Sequence, residues 1–467
     1  MAARRAKLVC TIGPATGERT AELVAAGMDV ARLNFSHGAP ETLATWASAV
    51  RHAASDARRS VAILADLPGP KLRVGDVREG RVEIPTDGRF ALRVGRGTGD
   101  AGGAWVAYDA LGRDVRPGDR VLLADGAVEL RVRTAARDVV ETDVVRGGAI
   151  RSRAGLSIPS ERLSTPAMTE GDLVALPHAV GLGADYLAQS FVRRAADVEA
   201  LRERLGRGGP PIVAKIETRS AIDDFDAILG VVDAVMIARG DLGVELPFEE
   251  VPIVQKQLVR RALDRGVPTI VATQMLESMV TSARPTRAEA SDVANAIFDG
   301  ADAIMLSAET AIGAHPVLAA EAAARIARVC EDRGRKYLAR GAAFPPGSDA
   351  GAMALAAVAV AAADASVAAI ACYTRTGRTA RLLSALRPGV PIHAFSDEPH
   401  TVNRLALVHG IAPAGCPAPA ASGSRLEWLA RIVERASVVP PGSVVALVAS
   451  SADPGTGPNL LELHRLP

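Results

Sequence analysis

Short apolar runs alternate with longer segments of helical periodicity through the first 330 residues of the chain. The runs cover residues 7–10, 29–33, 61–66, 185–189, 212–216, 234–238, 269–272 and 303–306. Nearly continuous apolar strands separated by helices are typical of parallel strands that are buried on both faces. Eight such units predict an α/β fold with a TIM (β/α)8 barrel, in which chemistry lies on the loops at the carboxyl ends of the strands.

The pattern changes between the third and the fourth run. Short segments that alternate apolar and polar positions predict strands at residues 81–84, 90–94, 119–123, 127–133 and 139–144. Asp-Gly pairs at Asp87-Gly88 and Asp125-Gly126 mark turns between them, and residues 95–99 (GRGTG) are interpreted as a hairpin turn. We therefore predict a small β-barrel domain, inserted into the large barrel at residues 74–154, that can act as a lid.

A third region follows the eighth unit. A linker-like stretch at residues 341–351 leads to an Ala-rich helix, and strands are predicted at 367–373, 391–395 and 443–448. Strands that alternate with helices indicate a small open α/β domain with ligand-binding loops of its own. The predicted division is a catalytic barrel at 1–73 and 155–335, the insert at 74–154, and a regulatory α/β domain at 336–467.

The composition of the chain mainly excludes classes of protein and kinds of site. The 54 Lys and Arg nearly balance the 53 Asp and Glu, which argues against a nucleic-acid binder. Four scattered cysteines lack the spacing of a zinc site or a disulfide framework and favour a reducing compartment. The longest apolar stretch is shorter than the roughly 18 residues that cross a membrane, and the N-terminus resembles no signal peptide. We therefore expect a cytoplasmic protein without nucleic-acid or membrane partners.

Charged and polar residues recur at the predicted strand ends. Cations and carboxylates that converge on one barrel rim cost free energy unless an ionic ligand and a metal ion complete the charge balance. The pattern therefore indicates an ionic substrate together with a metal ion. The residues are Arg32, Asn34, Ser36, His37, Asp66, Lys71, Arg73, Lys215, Glu217, Arg239, Asp241, Thr273, Gln274, Glu277, Ser307 and Glu309.

Lys215 is the most informative of them because the chain has only five lysines against 49 arginines. A compact ammonium at the end of an apolar strand can act as a point charge on a phosphoryl group, where a planar guanidinium is bulkier. Glu217 lies two residues further on the same strand face, and with Asp241 it could hold one hard divalent cation. The ordinary alternatives are that Lys215 reaches solvent or pairs with Glu217, and that both carboxylates are rim ion-pair partners.

Seven motifs, taken in order, closely resemble those of the pyruvate kinase family. They are KLVCTIGPAT (7–16), MDVARLNFSHG (28–38), AKIET (214–218), ARGDLGVELP (238–247), ATQMLESM (272–279), the segment 283–313 and TRTGRTARLL (374–383). The resemblance covers essentially the whole chain and is weakest in the insert and after about residue 414. It implies that phosphoenolpyruvate passes its phosphoryl group to ADP, giving pyruvate and ATP, and it implies a homotetramer.

The resemblance also implies roles for the matching residues. Lys215 neutralises the transferring phosphoryl group and the enolate oxygen, and Arg32 and Arg73 contact the phosphates. Thr273, with the turn at Gly240 and Asp241, binds the substrate carboxylate and relays a proton, and Asp125 of the insert arrives when the lid closes. Glu217 and Asp241 bind Mg²⁺ or Mn²⁺; Asn34, Ser36 and Asp66 form a monovalent-cation site; and Asn34, His37 and Arg73 lie beside the nucleotide.

The chain departs from the family pattern where cations are handled. Ala154 stands where many relatives carry Lys, and Leu67, Pro68 and Lys71 replace the usual Thr, Lys and Glu. The Lys71 ammonium carries the charge of K⁺ and repels a mobile cation, so we expect activity that is independent of K⁺. The alternative is that Lys71 points into solvent and K⁺ binds as usual.

One segment of the third region suits a phosphate. It offers hydroxyls, a glycine and two arginines between a strand and a helix, and it consists of Thr374, Arg375, Thr376, Gly377, Arg378 and Thr379. We predict that it binds an allosteric sugar monophosphate or AMP; the alternative is a solvent-exposed helix cap. Two other functions are alternatives: a non-catalytic metabolite sensor, which is expected to lack Lys215, Glu217, Asp241 or Thr273, and a metal-enolate lyase, which needs neither insert nor third domain.

Overall fold

The computed structural model describes residues 4–341, 349–419, 423–450 and 458–467; most of the predicted linker at 341–351 lies outside them. Strands are numbered along the chain: β1 (Lys7–Ile12), β2 (Val30–Asn34), β3 (Ala62–Asp66), β4 (Arg81–Ile84), β5 (Arg89–Val94), β6 (Gly103–Val106), β7 (Arg120–Leu123), β8 (Val128–Ala135), β9 (Val139–Arg146), β10 (Gly148–Arg151), β11 (Leu156–Ser157), β12 (Tyr186–Val192), β13 (Ile212–Ile216), β14 (Ala234–Ala238), β15 (Thr269–Ala272), β16 (Ala303–Leu306), β17 (Val367–Tyr373), β18 (Ile392–Ser396), β19 (Ile411–Gly415), β20 (Val444–Ala449) and β21 (Leu460–Arg465).

Helices are numbered in the same way: α1 (Thr20–Ala26), α2 (Pro40–Asp56), α3 (Leu111–Asp114), α4 (Glu170–Gly181), α5 (Ala195–Leu205), α6 (Arg219–Asp223), α7 (Phe225–Val231), α8 (Arg239–Glu245), α9 (Val251–Asp264), α10 (Arg287–Asp299), α11 (Ala308–Ala311), α12 (Pro316–Arg333), α13 (Asp349–Ala363), α14 (Arg378–Ala385), α15 (Pro399–Leu405) and α16 (Arg425–Ala436). Short 3₁₀ turns cover Arg78–Gly80, Ser160–Arg162, Glu277–Val280 and Arg335–Tyr337. Among the described helices, none is both long and apolar enough to span a membrane.

Eight parallel strands close a barrel in the order β1, β2, β3, β12, β13, β14, β15, β16 and back to β1. Each corresponds to one of the eight predicted runs, so the TIM-barrel prediction is confirmed. The runs were nearly continuous because one face of each strand packs against the surrounding helices while the other fills the barrel.

The barrel interior is closed at the amino ends of its strands by the third domain. Ala406 and Leu407, which follow α15, are 2% and 1% exposed and belong to the same apolar cluster as Val9 and Val213 of the barrel. The Lys7 ammonium donates to the carbonyl of Ile411 at 2.6 Å, which ties the start of β1 to β19. The third domain therefore contributes to the barrel core rather than only touching its surface.

The insert consists of two sheets. Six strands follow the order β11, β7, β8, β9, β5, β6, while β10 pairs with β4. The six-stranded order has two free ends, so the insert forms two open sheets rather than the predicted small β-barrel. They enclose a core of their own around Phe90, Leu92 and Leu130. The hairpin predicted at residues 95–99 is wrong, because β5 and β6 pair in parallel and the segment between them is a crossover.

The third domain is the predicted open α/β sheet, with strand order β19, β18, β17, β20, β21. Its first four strands are parallel, and β21 pairs antiparallel with β20 at the edge. The chain passes from β17 to β18 on one side and returns to β20 on the other, so the sheet order reverses beside β17. Ligands of open α/β sheets bind at such reversals. The residue limits of the three domains stay predictions.

Candidate active site

Four neighbouring strands each place one polar side chain on the inner face at the carboxyl end of the barrel. In every case the residue two positions earlier belongs to the apolar interior, so strand alternation turns the polar side chain towards the same space. The strands are hydrogen-bonded neighbours, which brings these side chains together. They are Arg32 on β2, Asp66 on β3, Ser190 on β12 and Lys215 on β13.

Lys215 is the centre of this group. Its ammonium donates to Ser190 Oγ at 2.8 Å and lies 3.0 Å from Glu217 and 3.4 Å from Asp66. Arg32 adds a second cation, 2.6 Å from the other oxygen of Asp66, and donates to Thr11 Oγ1 at 3.0 Å. The buried charges are thus paired, as low-dielectric surroundings require.

The pKa values of the group follow from burial and pairing. Burial alone would lower the pKa of Lys215, but the carboxylates of Asp66 and Glu217 outweigh it and raise that pKa above its ordinary value. Burial would raise the pKa of Asp66, but Lys215 and Arg32 hold it below its ordinary value. Burial raises the pKa of Glu217 to about 7 against the opposing effect of Lys215. Lys215 is therefore a fixed cation, and Glu217 is the carboxylate most in need of further positive charge.

The other carboxylate predicted to bind metal faces the lid. Asp241 lies in the first turn of α8, and its Oδ1 is 3.3 Å from the Lys71 ammonium. Lys71 is also 3.7 Å from Asp125, which belongs to the turn between β7 and β8 of the insert. A cleft between lid and barrel is lined by Lys71, Asp125, Glu217 and Asp241. The predicted lid residue thus reaches the site in this structure.

Glu217 and Asp241 fit a hard divalent cation by the chemistry of their donors. Within the described ranges, no group of three or more His, Cys, Asp or Glu side chains is arranged to hold a metal ion. Mg²⁺ needs no such cage, because one or two carboxylates with water and substrate phosphate complete its octahedron. The two carboxylates line the same cleft.

Thr273 is held in an unusual conformation at the end of β15. Its φ is 70°, and that of Gln274 is 53°, so two consecutive side chains occupy the left-handed region. Such a conformation costs about 1–3 kcal/mol per residue and is concentrated at functional sites. The amide of Gly240 donates to Thr273 Oγ1 at 2.7 Å, and this hydroxyl donates to the carbonyl of Ala272 at 2.6 Å. Thr273 and Gly240, both predicted substrate contacts, are therefore adjacent.

The remaining predicted residues include His37 and Arg73. Burial, and then the charges of Arg73, Arg32 and Lys71, lower the pKa of His37 below its ordinary value. Arg73 donates to the carbonyl of Arg153 at 3.0 Å, within the connection between lid and barrel.

Of the predicted monovalent-cation residues, Asn34 accepts a hydrogen bond from the amide of Ser36 at 3.0 Å. Asp66 is paired with Arg32 and Lys215. The Lys71 ammonium forms ion pairs with Asp241 and Asp125.

Sequence reasoning missed several residues of the site. Ser190 escapes prediction because the fourth apolar run stops at residue 189, although alternation from Ala188 places position 190 on the inner face. Phe191 has a φ of 53° and donates its amide to Glu217 at 2.7 Å. Glu309 was among the predicted rim residues, but its backbone partners were not: the carboxylate is fully buried and accepts from the amides of Leu276 and Ser307 at 3.0 and 2.7 Å. No local sequence pattern predicts these hydrogen bonds from backbone amides to carboxylates.

The predicted effector segment forms the loop between β17 and α14, beside the reversal of the sheet. Gly377 has a φ of 81° and donates its amide to Thr374 Oγ1 at 3.0 Å. Thr374 and Thr379 are buried, whereas Arg375, Thr376 and Arg378 are exposed. Thr401 on α15 donates to the carbonyl of Arg375 at 2.7 Å. One of the three threonine side chains is thus exposed to a ligand, together with two arginines.

Comparison with known proteins relates the chain to one protein family. Residues 3–320 match the family model "Pyruvate kinase, barrel domain", and residues 352–464 match "Pyruvate kinase, alpha/beta domain". The chain is 40% identical to the pyruvate kinase of Mycobacterium tuberculosis (strain H37Rv) over 469 residues, covering 99% of this chain and 98% of that protein. It is 38% identical to the pyruvate kinase of Corynebacterium efficiens, with coverage of 99% and 98%, and 38% identical to that of Geobacillus stearothermophilus, with coverage of 99% and 80%.

Proposed function

Since the chain belongs to the pyruvate kinase family, we propose that it transfers the phosphoryl group of phosphoenolpyruvate to ADP, giving pyruvate and ATP. The observation that carries the proposal is a chain of paired charges: Arg32 and Lys215 share Asp66, and Lys215 lies 3.0 Å from Glu217, which lines one cleft together with Asp241. Phosphoryl transfer needs little covalent help from a protein, but it needs positioning and fixed positive charge where negative charge develops. This arrangement supplies both.

Each residue has a part in the proposed reaction. Lys215, kept cationic by its carboxylate partners, neutralises the transferring phosphoryl group and the enolate oxygen left behind. Arg32 and Arg73 contact the phosphates. The amides at the start of α8, around Gly240, and the hydroxyl of Thr273 bind the substrate carboxylate. Thr273 also hands on the proton that the enolate carbon takes up, which completes pyruvate.

Glu217 and Asp241 hold Mg²⁺, or Mn²⁺, in this proposal. The ion supplies charge neutralisation at the phosphoryl oxygens when it is bound. The raised pKa of Glu217 supports this role, because a buried carboxyl that prefers a proton is relieved by a cation in its place. Asp125 completes the cleft from the lid.

Activity is independent of K⁺ in this proposal because Lys71 brings a tethered charge to the cleft. The support is its position: the side chain is 34% exposed and lies between Asp241 and Asp125, instead of extending into solvent. Where Asp241 would hold a divalent cation, the ammonium of Lys71 would be free to pair with substrate phosphate instead. A mobile cation beside it is then repelled.

The enzyme is also allosteric, cytoplasmic and homotetrameric in this proposal. The loop of residues 374–379, at the start of α14, binds a sugar monophosphate or AMP through Arg375, Thr376 and Arg378. Phe248, Ile253 and Ile312 support subunit contacts, because these large apolar side chains are 83%, 56% and 65% exposed. In an oligomer, an effector can bind two quaternary states with different affinities and so shift the equilibrium between them.

The decisive experiment follows pyruvate formation from phosphoenolpyruvate in an assay coupled to lactate dehydrogenase. Rapid NADH oxidation that requires both ADP and Mg²⁺ is the expected result. Omission of ADP is the matched control, since a lyase or phosphatase continues without it. A folded protein that forms no pyruvate under these conditions would contradict the proposed function.

A further inference from the structure

The active-site conformation of Thr273 depends on a residue that does not point into the cleft. Thr273 and Gln274 are both left-handed, and a β-branched side chain is especially unfavourable there. Some neighbouring group must hold the chain in this shape, because an isolated strand end would relax to an extended or helical conformation.

The guanidinium of Arg239 is that group. Its NH2 donates to the carbonyl of Thr273 at 2.7 Å and to that of Gln274 at 3.4 Å, and it lies 2.9 Å from Met275 Sδ. Its NH1 donates to Asp292 Oδ1 on α10 at 2.6 Å, which anchors the guanidinium from behind. One planar side chain thus joins the loop after β15 to a helix outside the barrel.

The backbone next to Arg239 holds the other end of Thr273. The amide of Gly240 donates to Thr273 Oγ1 at 2.7 Å, while the Arg239 side chain holds the Thr273 carbonyl. Two adjacent residues therefore fix both the main chain and the hydroxyl of Thr273. A change in the contact of Arg239 will shift the Thr273 hydroxyl relative to the Gly240 amide. Both groups bind the substrate carboxylate in the proposed function.

We infer that Arg239 is a positioning residue that sets Thr273 for substrate binding and proton relay; the inference rests on the proposed function. The role requires arginine, because a lysine has no planar fork to bridge Asp292 and two carbonyls at once. The contact is poorly suited to stability alone: Arg239 Nε is buried and has no hydrogen-bond partner among the described residues, an arrangement that costs free energy.

The test is a double-mutant cycle of Arg239→Lys with Thr273→Ala, read as kcat and as KM for each substrate. Arg202→Lys is the matched control, because Arg202 also donates to a carbonyl (Val231) and a carboxylate (Asp233), both at 2.8 Å, but lies on α5. We expect Arg239→Lys to lower kcat about 10–100-fold with an unchanged KM for ADP, and Arg202→Lys to leave both unchanged. In the Thr273→Ala background, Arg239→Lys should cost less than about threefold more, because residues that act as a unit are not additive.

The outcomes separate the inference from the proposed function. Full multiplication of the two losses, or a loss in Arg239→Lys that follows only a lowered melting temperature, would overturn the positioning role while the kinase activity stands. A wild type that forms no pyruvate from phosphoenolpyruvate and ADP would overturn the proposed function, and this role with it. A wild-type kcat in Arg239→Lys also contradicts the inference.

Discussion

The ammonium of Lys71 lies 3.3 Å from Asp241 Oδ1, so a residue near the lid's first connection to the barrel pairs with a proposed metal ligand 170 positions away. The same ammonium is 3.7 Å from Asp125 of the lid. Both ion pairs are partly exposed, and such pairs contribute little to stability. Their importance lies in charge, because Lys71 places a cation between two carboxylates of the cleft.

We predict that the wild type needs no K⁺. Turnover in tetramethylammonium buffer should equal turnover with added KCl at constant ionic strength, while removal of Mg²⁺ should abolish it. Lys71→Glu should introduce K⁺ dependence, although only in part while Leu67 remains. Strong activation of the wild type by KCl would show that Lys71 does not replace the mobile ion.

Lys215→Ala should lower kcat by at least about 100–1,000-fold, because one preorganised charge contact to the transition state is worth that much in a dry site. The matched control is Lys256→Ala, which removes an exposed lysine paired with Asp299 on the outer helices. Circular dichroism should show both variants folded. A Lys215→Ala enzyme that keeps more than about a tenth of wild-type kcat is incompatible with the assigned role.

Arg378→Ala should abolish or strongly weaken effector binding without changing turnover in the absence of effector. Calorimetry with a panel of sugar phosphates and AMP measures this directly, since a lost charge-assisted contact to phosphate reduces the binding heat and the affinity. Arg431→Ala, on an exposed part of α16 in the same domain, is the control. If no compound of the panel binds the wild type, the loop is a helix cap and not an effector site.

Leu407→Ala should destabilise the protein by about 2–5 kcal/mol, the usual loss for a buried leucine that leaves a cavity. Leu407 is 1% exposed in the barrel interior although it belongs to the third domain. Urea unfolding against Leu173→Ala, which changes a leucine 38% exposed on α4, measures the difference. Equal midpoints for the two variants would mean that the third domain does not support the barrel core.

The barrel could be predicted from sequence because its strands are buried on both faces, which leaves apolar runs such as residues 212–216. The strands that were missed, such as β6, β11 and β21, are short or lie at or beside sheet edges. Few of their residues alternate between apolar and polar positions, so the pattern is weak. Lys215 and Glu217 could be predicted because they lie two residues apart where one strand ends. The partners of Lys71 could not, because they depend on how closely the lid approaches the barrel, and nothing local to residue 71 encodes that distance.

The last prediction concerns pH and the boundary between the barrel and the third domain. His409 is 9% exposed, and its amide donates to Asp302 at 3.1 Å, as does Arg387 through its guanidinium at 3.2 Å. Burial, followed by the charges of Arg387, Lys7 and Arg5, lowers the pKa of His409 well below its ordinary value. The folded protein therefore holds this ring neutral, with several cations facing it.

The sign of the effect follows from proton uptake. Below the ordinary histidine pKa of about 6.5, the unfolded chain binds a proton at this ring that the folded chain refuses, so stability falls as pH falls. His409→Gln should remove this contribution: between pH 7.5 and 5.5 its unfolding free energy should decline by about 1 kcal/mol less than that of the wild type. His52→Gln, on the exposed face of α2, should follow the wild-type pH dependence. Parallel curves for His409→Gln and wild type would mean that the ring is protonated, or accessible, in the folded state.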